Sequence, residues 1–474
     1  VQATDLSVAE LLAAYRGRSL SPVEAAQAYL DRIERLNPHL HAYFEVYAEA
    51  SLERARASEA RWRAGLPASL LEGVPLALKD LVHIAGRRTW AGSAAYADER
   101  PRAETATLVT RLLDAGAVVL GKTHLVELAY GGWGTNQGLG TPRNPWDPRV
   151  HRAPGGSSSG SGVAVAGGLA AAAIGTDTGG SVRIPAAFCG LTGLRPSLGR
   201  ISHHGMELVS PTLDTAGPMC WSAHDAALLF QAMHGPDPRD AATLSLPPVD
   251  VLSRLHESVA GVRISQAGRP SLGAVEDAVW RGLLEAGQVL QGLGCVRRDE
   301  AFAGVDFAAD QEETGLIISC EVYGRHGAAL ERCRQPGDPA ARERVMRGAG
   351  IAAHRYAAAL VRRQQRMRDF AAVFESTDVL LLPTLPVTAK PVHALDEADL
   401  SPSRLTRFVG YYGLCALALP CGVDEQGLPV SVQLVANAGR EALLLRLGAA
   451  FQAATTHHRR RPPPFTPPPP STAP

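Results

Sequence analysis

Gly155-Gly156-Ser157-Ser158-Ser159-Gly160-Ser161-Gly162, the small apolar run of residues 163–174, and Gly175-Thr176-Asp177-Thr178-Gly179-Gly180-Ser181-Val182-Arg183 decide how this chain reads. Two hydroxyl-rich glycine loops flank one apolar segment of about helix length, and a rigid element of that kind can carry both loops to one edge of a sheet. Glycine admits positive φ and lets a backbone N–H come close to a bound atom. Thr178, Gly179, Gly180 and Ser181 can therefore aim several N–H donors at one developing oxyanion. Ser181 is then the candidate nucleophile.

A serine hydroxyl needs a base before it attacks anything. No histidine motif supplies one. Upstream, Gly73-Val74-Pro75-Leu76-Ala77-Leu78-Lys79-Asp80 places a lysine at the end of a short apolar run that reads as a buried strand. Desolvation there lowers a lysine's pKa and makes a neutral amine available as the base. Taken alone, Lys79 would more often be a snorkelling surface lysine; the serine loops change that weighting.

Two other motifs compete. Gly116-Ala117-Val118-Val119-Leu120-Gly121-Lys122-Thr123 fits the phosphate-loop pattern letter for letter, but residues 117–120 are themselves a strand, where a phosphate loop needs flexible turn residues. Gly156-Ser157-Ser158-Ser159-Gly160 satisfies the nucleophile-elbow pattern and would make Ser158 the nucleophile. His203, His204 and His224 follow it in order, yet nothing around them forms a recognisable partner site.

The lysine stretch and the two serine loops together resemble the amidase signature family. Arg183, Pro185 and Ala186-Ala187-Phe188-Cys189-Gly190 continue the match, which runs from about residue 5 to 458. The resemblance implies a Ser-cisSer-Lys triad of Lys79, Ser157 and Ser181, with Ser157 shuttling a proton between Ser181 and neutral Lys79. It implies a single large α/β domain whose mixed, twisted central sheet is covered by helices on both faces. It also implies amide hydrolysis through an acyl-enzyme, with no metal and no organic cofactor. Asp177 and Arg183 are expected to pair and hold the loop, and Ser158 to satisfy nearby backbone. Gly131 and Gly132 are expected to line the acyl pocket.

Substrate class is read from fewer residues. Family members that take carboxylate-bearing substrates can carry a polar or charged residue three positions after the nucleophile, where this chain has Ile184. Tyr411 and Tyr412 replace a common asparagine- and proline-containing form and are expected to line a pocket for an aromatic group. Neutral aryl or alkyl amides follow, as in arylacylamidases, with carbamates (urethanes) as related substrates. A biuret- or urea-derivative hydrolase and the glutaminase component of a tRNA-dependent amidotransferase are the competing readings.

Composition bounds the rest. The 474 residues are 46% hydrophobic and 20% charged, which suits a large core, and Lys+Arg and Asp+Glu balance at 47 each. That balance removes the main electrostatic reason to expect nucleic acid or an anionic membrane as a partner. Seven scattered cysteines without CxxC spacing indicate neither a disulfide framework nor a zinc site, so a cytoplasmic enzyme, monomer or homodimer, is expected. Residues 1–66 read as a helical segment packed on the core and 67–458 as the catalytic domain. Within that domain, residues 240–370 form a helical, substrate-covering region. The tail, 459–474, reads as disordered and proline-rich. Helix-period leucines at 6, 11 and 12 and a capping box at Ser21-Pro22-Val23-Glu24 support the first of these. Alternating short apolar runs and helical stretches from residue 70 onward give the α/β class.

Overall fold

The computed structural model describes residues 2–66, 69–298 and 305–465. Most of their short apolar runs become strands buried on both sides, while the edge strands at either end of the sheet are partly or fully exposed. In chain order these are β1 (Tyr43–Val46), β2 (Pro75–Lys79), β3 (Val118–Thr123), β4 (Ala172–Thr176), β5 (Thr192–Arg195), β6 (Ala216–Cys220), β7 (Arg263–Gln266), β8 (Val296–Arg298), β9 (Val379–Pro383), β10 (Cys415–Val423) and β11 (Pro429–Ala436). Among the described residues they form one sheet in the order β1-β3-β2-β4-β6-β5-β10-β11-β9-β7-β8. The pairing is mixed. β2 runs parallel to both β3 and β4, β7 runs parallel to β8 and β9, and the strands between these groups are antiparallel.

The expected α/β architecture is therefore what forms, with three local corrections. The apolar run 163–174 is not one rigid helix. It divides into the end of the helix Ser159–Ala166 and the start of β4, because Gly167 caps the helix and Gly168 turns the chain at φ +68°. The N-terminal segment does contain the helices Val8–Arg16, Pro22–Leu40 and Ala48–Arg63, the first two opened by capping boxes. It also contributes β1, which pairs antiparallel with β3 and ends the sheet. The C-terminal tail is placed as far as residue 465. The Arg461 guanidinium lies 3.6 Å from the Trp221 ring centroid and Phe465 packs against His39; residues 466–474 of the expected disordered tail fall outside the described residues.

The phosphate-loop reading ends here as well. Gly121, Lys122 and Thr123 are the second half of β3, and the side chain of Lys122 is committed to Asp80 at 2.9 Å. A Cβ on Gly121 would collide with the Glu45 carbonyl of β1, so this glycine serves strand packing. Among the described residues, no helix is long and apolar enough to cross a membrane.

Candidate active site

β2, β3 and β4 run parallel and end together. Lys79 closes β2 and Thr176 closes β4, which sets both side chains at the carboxyl edge of the sheet. Such an edge is where α/β folds gather their ligands. The chain returns to it twice. Ser157 and Ser158 enter the helix Ser159–Ala166, and Ser181 leaves the loop that follows β4. The peptide bond between Gly156 and Ser157 is cis, as expected.

Lys79 has no solvent exposure. Its Nζ donates to the Ser157 hydroxyl at 2.8 Å and to the Thr176 hydroxyl at 2.9 Å. Both acceptors are neutral, so nothing adjacent repays the ammonium for its lost hydration. Burial pushes its pKa down to about 7, against a smaller opposing pull from Asp214 and Asp177. Thr176 is a member of this cluster that the sequence reading did not single out, although it lies inside the quoted glycine loop.

Asp177 and Arg183 pair as expected, and more tightly than a simple ion pair. Burial alone would raise the Asp177 carboxyl, but Arg183 and Arg195 more than offset it and hold the group well below the usual carboxylate range. Its oxygens accept from Arg183 Nε at 3.0 Å, Arg195 Nη1 at 3.0 Å, Gly180 N at 2.8 Å and Val182 N at 3.3 Å. Arg183 in turn reaches Gln433 on β11 and the Thr406 carbonyl, so the loop is tied across the sheet. Ser158 takes the supporting role expected of it, exchanging bonds with the backbone N and O of Thr176, both at 3.3 Å.

The oxyanion donors need one correction. Gly180 N–H is spent on Asp177, so this donor is not free. The N–H groups of Thr178, Gly179 and Ser181 hydrogen-bond to no described group, and they remain the available set. Ser181 itself is 8% exposed and lines a narrow cavity.

Gly131, Gly132 and Ile184 all line this cavity, as expected. Tyr411 and Tyr412 do not. Tyr411 is fully buried, and Tyr412 stacks on Phe370 with ring centroids 4.1 Å apart while donating to Asp310 at 3.0 Å. They belong to the packing around the end of the helix Arg407–Tyr411, where the two rings meet edge-on and Arg366 lies over both. The histidines of the elbow reading are also elsewhere: His203 Nε2 pairs with the Asp214 carbonyl, and His224 packs edge-on against His256.

The variable helical region supplies walls that no motif announced. Ile318 comes from the helix Phe307–Arg332 and Arg344 from the helix Pro339–Met346, joined by Tyr130, Val209 and Arg407. Ile184 alone pointed to an uncharged pocket. The cavity that forms has that apolar side and, with it, two guanidinium groups.

A triad-like cluster at the carboxyl edge of a mixed sheet invites comparison with known proteins, and a profile of the amidase family matches residues 24–445. This chain belongs to the amidase family. It is 37% identical to a glutamyl-tRNA(Gln) amidotransferase component from Hahella chejuensis, over 94% of this chain and 96% of that one. Among solved structures, a peptide amidase from Stenotrophomonas maltophilia superposes with a TM-score of 0.81 at 32% identity, covering 97% of this chain and 98% of that one. A bacterial aryl acylamidase superposes at 0.86 and 25% identity, covering 96% and 98%. The amidase is thus a hydrolase of C–N bonds, and its expected family and fold class stand.

Proposed function

We propose that this amidase cleaves small linear amides, and the related carbamates, through an acyl-enzyme on Ser181. The observation that carries the reading is Lys79: fully buried, hydrogen-bonded only to hydroxyls, and pushed by burial down to about 7, with one of those hydroxyls on Ser157, whose neighbour Ser158 donates its N–H to the carbonyl of the cavity-lining Ser181 at 3.4 Å. Neutral Lys79 takes a proton from Ser157, Ser157 takes one from Ser181, and the freed oxygen attacks the amide carbonyl. The tetrahedral oxygen is received by the N–H groups of Thr178, Gly179 and Ser181. The proton then returns along the same path to the leaving nitrogen, and water releases the acyl group.

The apolar Ile184 and the bare backbone of Gly131 and Gly132 leave room for the carbon chain of an alkyl or aryl acyl portion. A glutaminase working inside a complex is the reading favoured by the identity to the amidotransferase component. Against it, the cavity wall carries no acidic side chain among its described lining residues, whereas glutamine presents an ammonium group that needs one. The test is paired hydrolysis by wild type and Ser181→Ala of an aryl acetamide, an aryl carbamate, glutamine and biuret. Turnover of the aryl substrates that vanishes in the variant supports the proposal. Turnover of glutamine or biuret alone would replace its substrate class.

A further inference from the structure

Arg407 and Arg344 stand on the cavity wall in an unusual electrostatic state. Arg407 is 7% exposed, and none of the ion pairs among the described residues includes it. Its one hydrogen bond to a described group runs from Nη1 to the Gln311 carbonyl at 3.1 Å. Its stem lies over the glycine of the oxyanion loop: a Cβ on Gly179 would sit 3.2 Å from Arg407 Cγ and 3.6 Å from its Nε. Burial pushes its pKa down and Arg344 adds repulsion, with Tyr130 opposing. Arg344 is spent on the Tyr130 carbonyl at 2.8 Å and the Glu397 carbonyl at 2.9 Å. Its Nη2 is buried without a hydrogen bond, 3.7 Å from the Glu397 carboxylate, and would meet a Cβ on Gly131 at 2.9 Å.

Arg407 is a desolvated guanidinium on a small cavity without an ion pair among the described residues, and Arg344 has the Glu397 carboxylate only at 3.7 Å, an arrangement that is costly unless something anionic completes it. Position matters as much as charge. Arg407 lies against Gly179 and Arg344 against Gly131, so both flank the place where the scissile carbonyl must lie to meet Ser181. Resting on the amidase reading above, we infer that the preferred substrate is an amide that also carries a carboxylate, held by Arg407 with Arg344 beside it. The guanidinium fork suits that group, which it can engage through two parallel N–H donors. With no acidic side chain among the described lining residues, the substrate is a simple anion such as the mono-amide of a dicarboxylic acid, and not a zwitterionic amino-acid amide.

The experiment compares glutaramate, pentanamide and glutamine as substrates of the wild-type chain, then of R407Q and R407K. Glutaramate and pentanamide share a chain length and differ in the terminal carboxylate. The expected result is a kcat/KM for glutaramate about thirtyfold or more above that for pentanamide, as a charge-assisted bond provides, and above that for glutamine. R407Q should shrink this ratio by a similar factor through KM, and R407K should restore part of it. Equal rates on glutaramate and pentanamide in wild type would overturn the inference while leaving the amidase reading intact, and this comparison needs no variant to fold. An R407Q loss equal for both substrates would place Arg407 at the reaction centre and overturn it too. Failure of the wild type to hydrolyse any amide, aryl acetamide included, would overturn the amidase reading and this inference with it.

Discussion

Lys79 and Lys122 stand on adjacent parallel strands, Lys122 opposite Leu78 and Lys79 opposite Thr123, and both are fully buried. They differ in one partner. Lys122 Nζ has the Asp80 carboxylate at 2.9 Å together with the Arg88 carbonyl and the Thr89 hydroxyl. Lys79 has only the hydroxyls of Ser157 and Thr176. Burial pushes both pKa values down, and Asp80 resists that shift for Lys122. One lysine is thus a structural cation and the other a group able to give up its proton.

The pH dependence of kcat/KM tests this directly. Rate requires neutral Lys79, so it should rise through about pH 7 and stay high on the alkaline side. Lys79→Ala should remove most of the activity at neutral pH. A profile that peaks in acid would exclude Lys79 as the base.

Ser157→Ala and Ser181→Ala should separate relay from nucleophile. Ser181→Ala should abolish both turnover and a burst of acyl-enzyme. Ser157→Ala should lower kcat by about 10²–10⁴. Stopped-flow measurement of the burst distinguishes them, and a full burst in Ser181→Ala would dismiss the assignment.

Function and stability should oppose each other at Lys79. Its folded pKa of about 7 lies below the ordinary lysine value, so between the two the unfolded chain binds the proton and the folded chain does not. Stability contributed by this site therefore grows as pH rises from about 7 towards 10, and near neutrality the buried amine is a burden. Lys79→Met should be inactive yet keep its stability or gain on the order of 1–4 kcal/mol, seen as an unchanged or raised Tm. Calorimetry at pH 7 checks this; a marked fall in Tm would show that the lysine supports the fold.

Asp177→Asn should do the reverse. It strips the charge that Arg183 and Arg195 share and leaves both guanidiniums buried. A loss of about 3–5 kcal/mol is expected, read as the shift of a denaturant midpoint. Since the native carboxyl is held well below its ordinary value, the wild-type stabilisation is complete at neutral pH and is lost only as acid protonates it.

Gly180→Ala should damage the oxyanion loop. Gly180 has φ +130°, and an added Cβ would press on the side chains of Thr406 and Ile184. A fall in kcat larger than the fall in stability is expected, measured by steady-state kinetics beside a melting curve.

Local chemistry made part of this site legible and hid the rest. Lys79, Ser157 and Ser181 each sit in a glycine- or strand-bounded motif, and it is the three motifs together that pointed to a reaction centre. The Asp177–Arg183 pair was readable because only six positions separate two opposite charges in one loop. Thr176 and Arg195 act through contacts that form once β4 and β5 stand in place. Arg344 and Arg407 gave no signal, since an arginine in a polar helical stretch looks the same whether it faces solvent or a cavity. Tyr411 and Tyr412 misled for the same reason: two aromatic rings near a site are as useful to packing as to binding, and their helix decides which. The division of residues 163–174 was written in Gly167-Gly168, which the apolar character of the run obscured.

β1 gives the first helices a duty beyond covering the core. It occupies the hydrogen-bonding rim of β3, whose residues are buried along their whole length. A chain trimmed of its first 47 residues would bare that rim as an unpaired strand edge, and edges of this kind recruit further strands. The leading segment is thus a guard against self-association, and shortening this amidase from its start should yield assemblies before it yields a smaller enzyme.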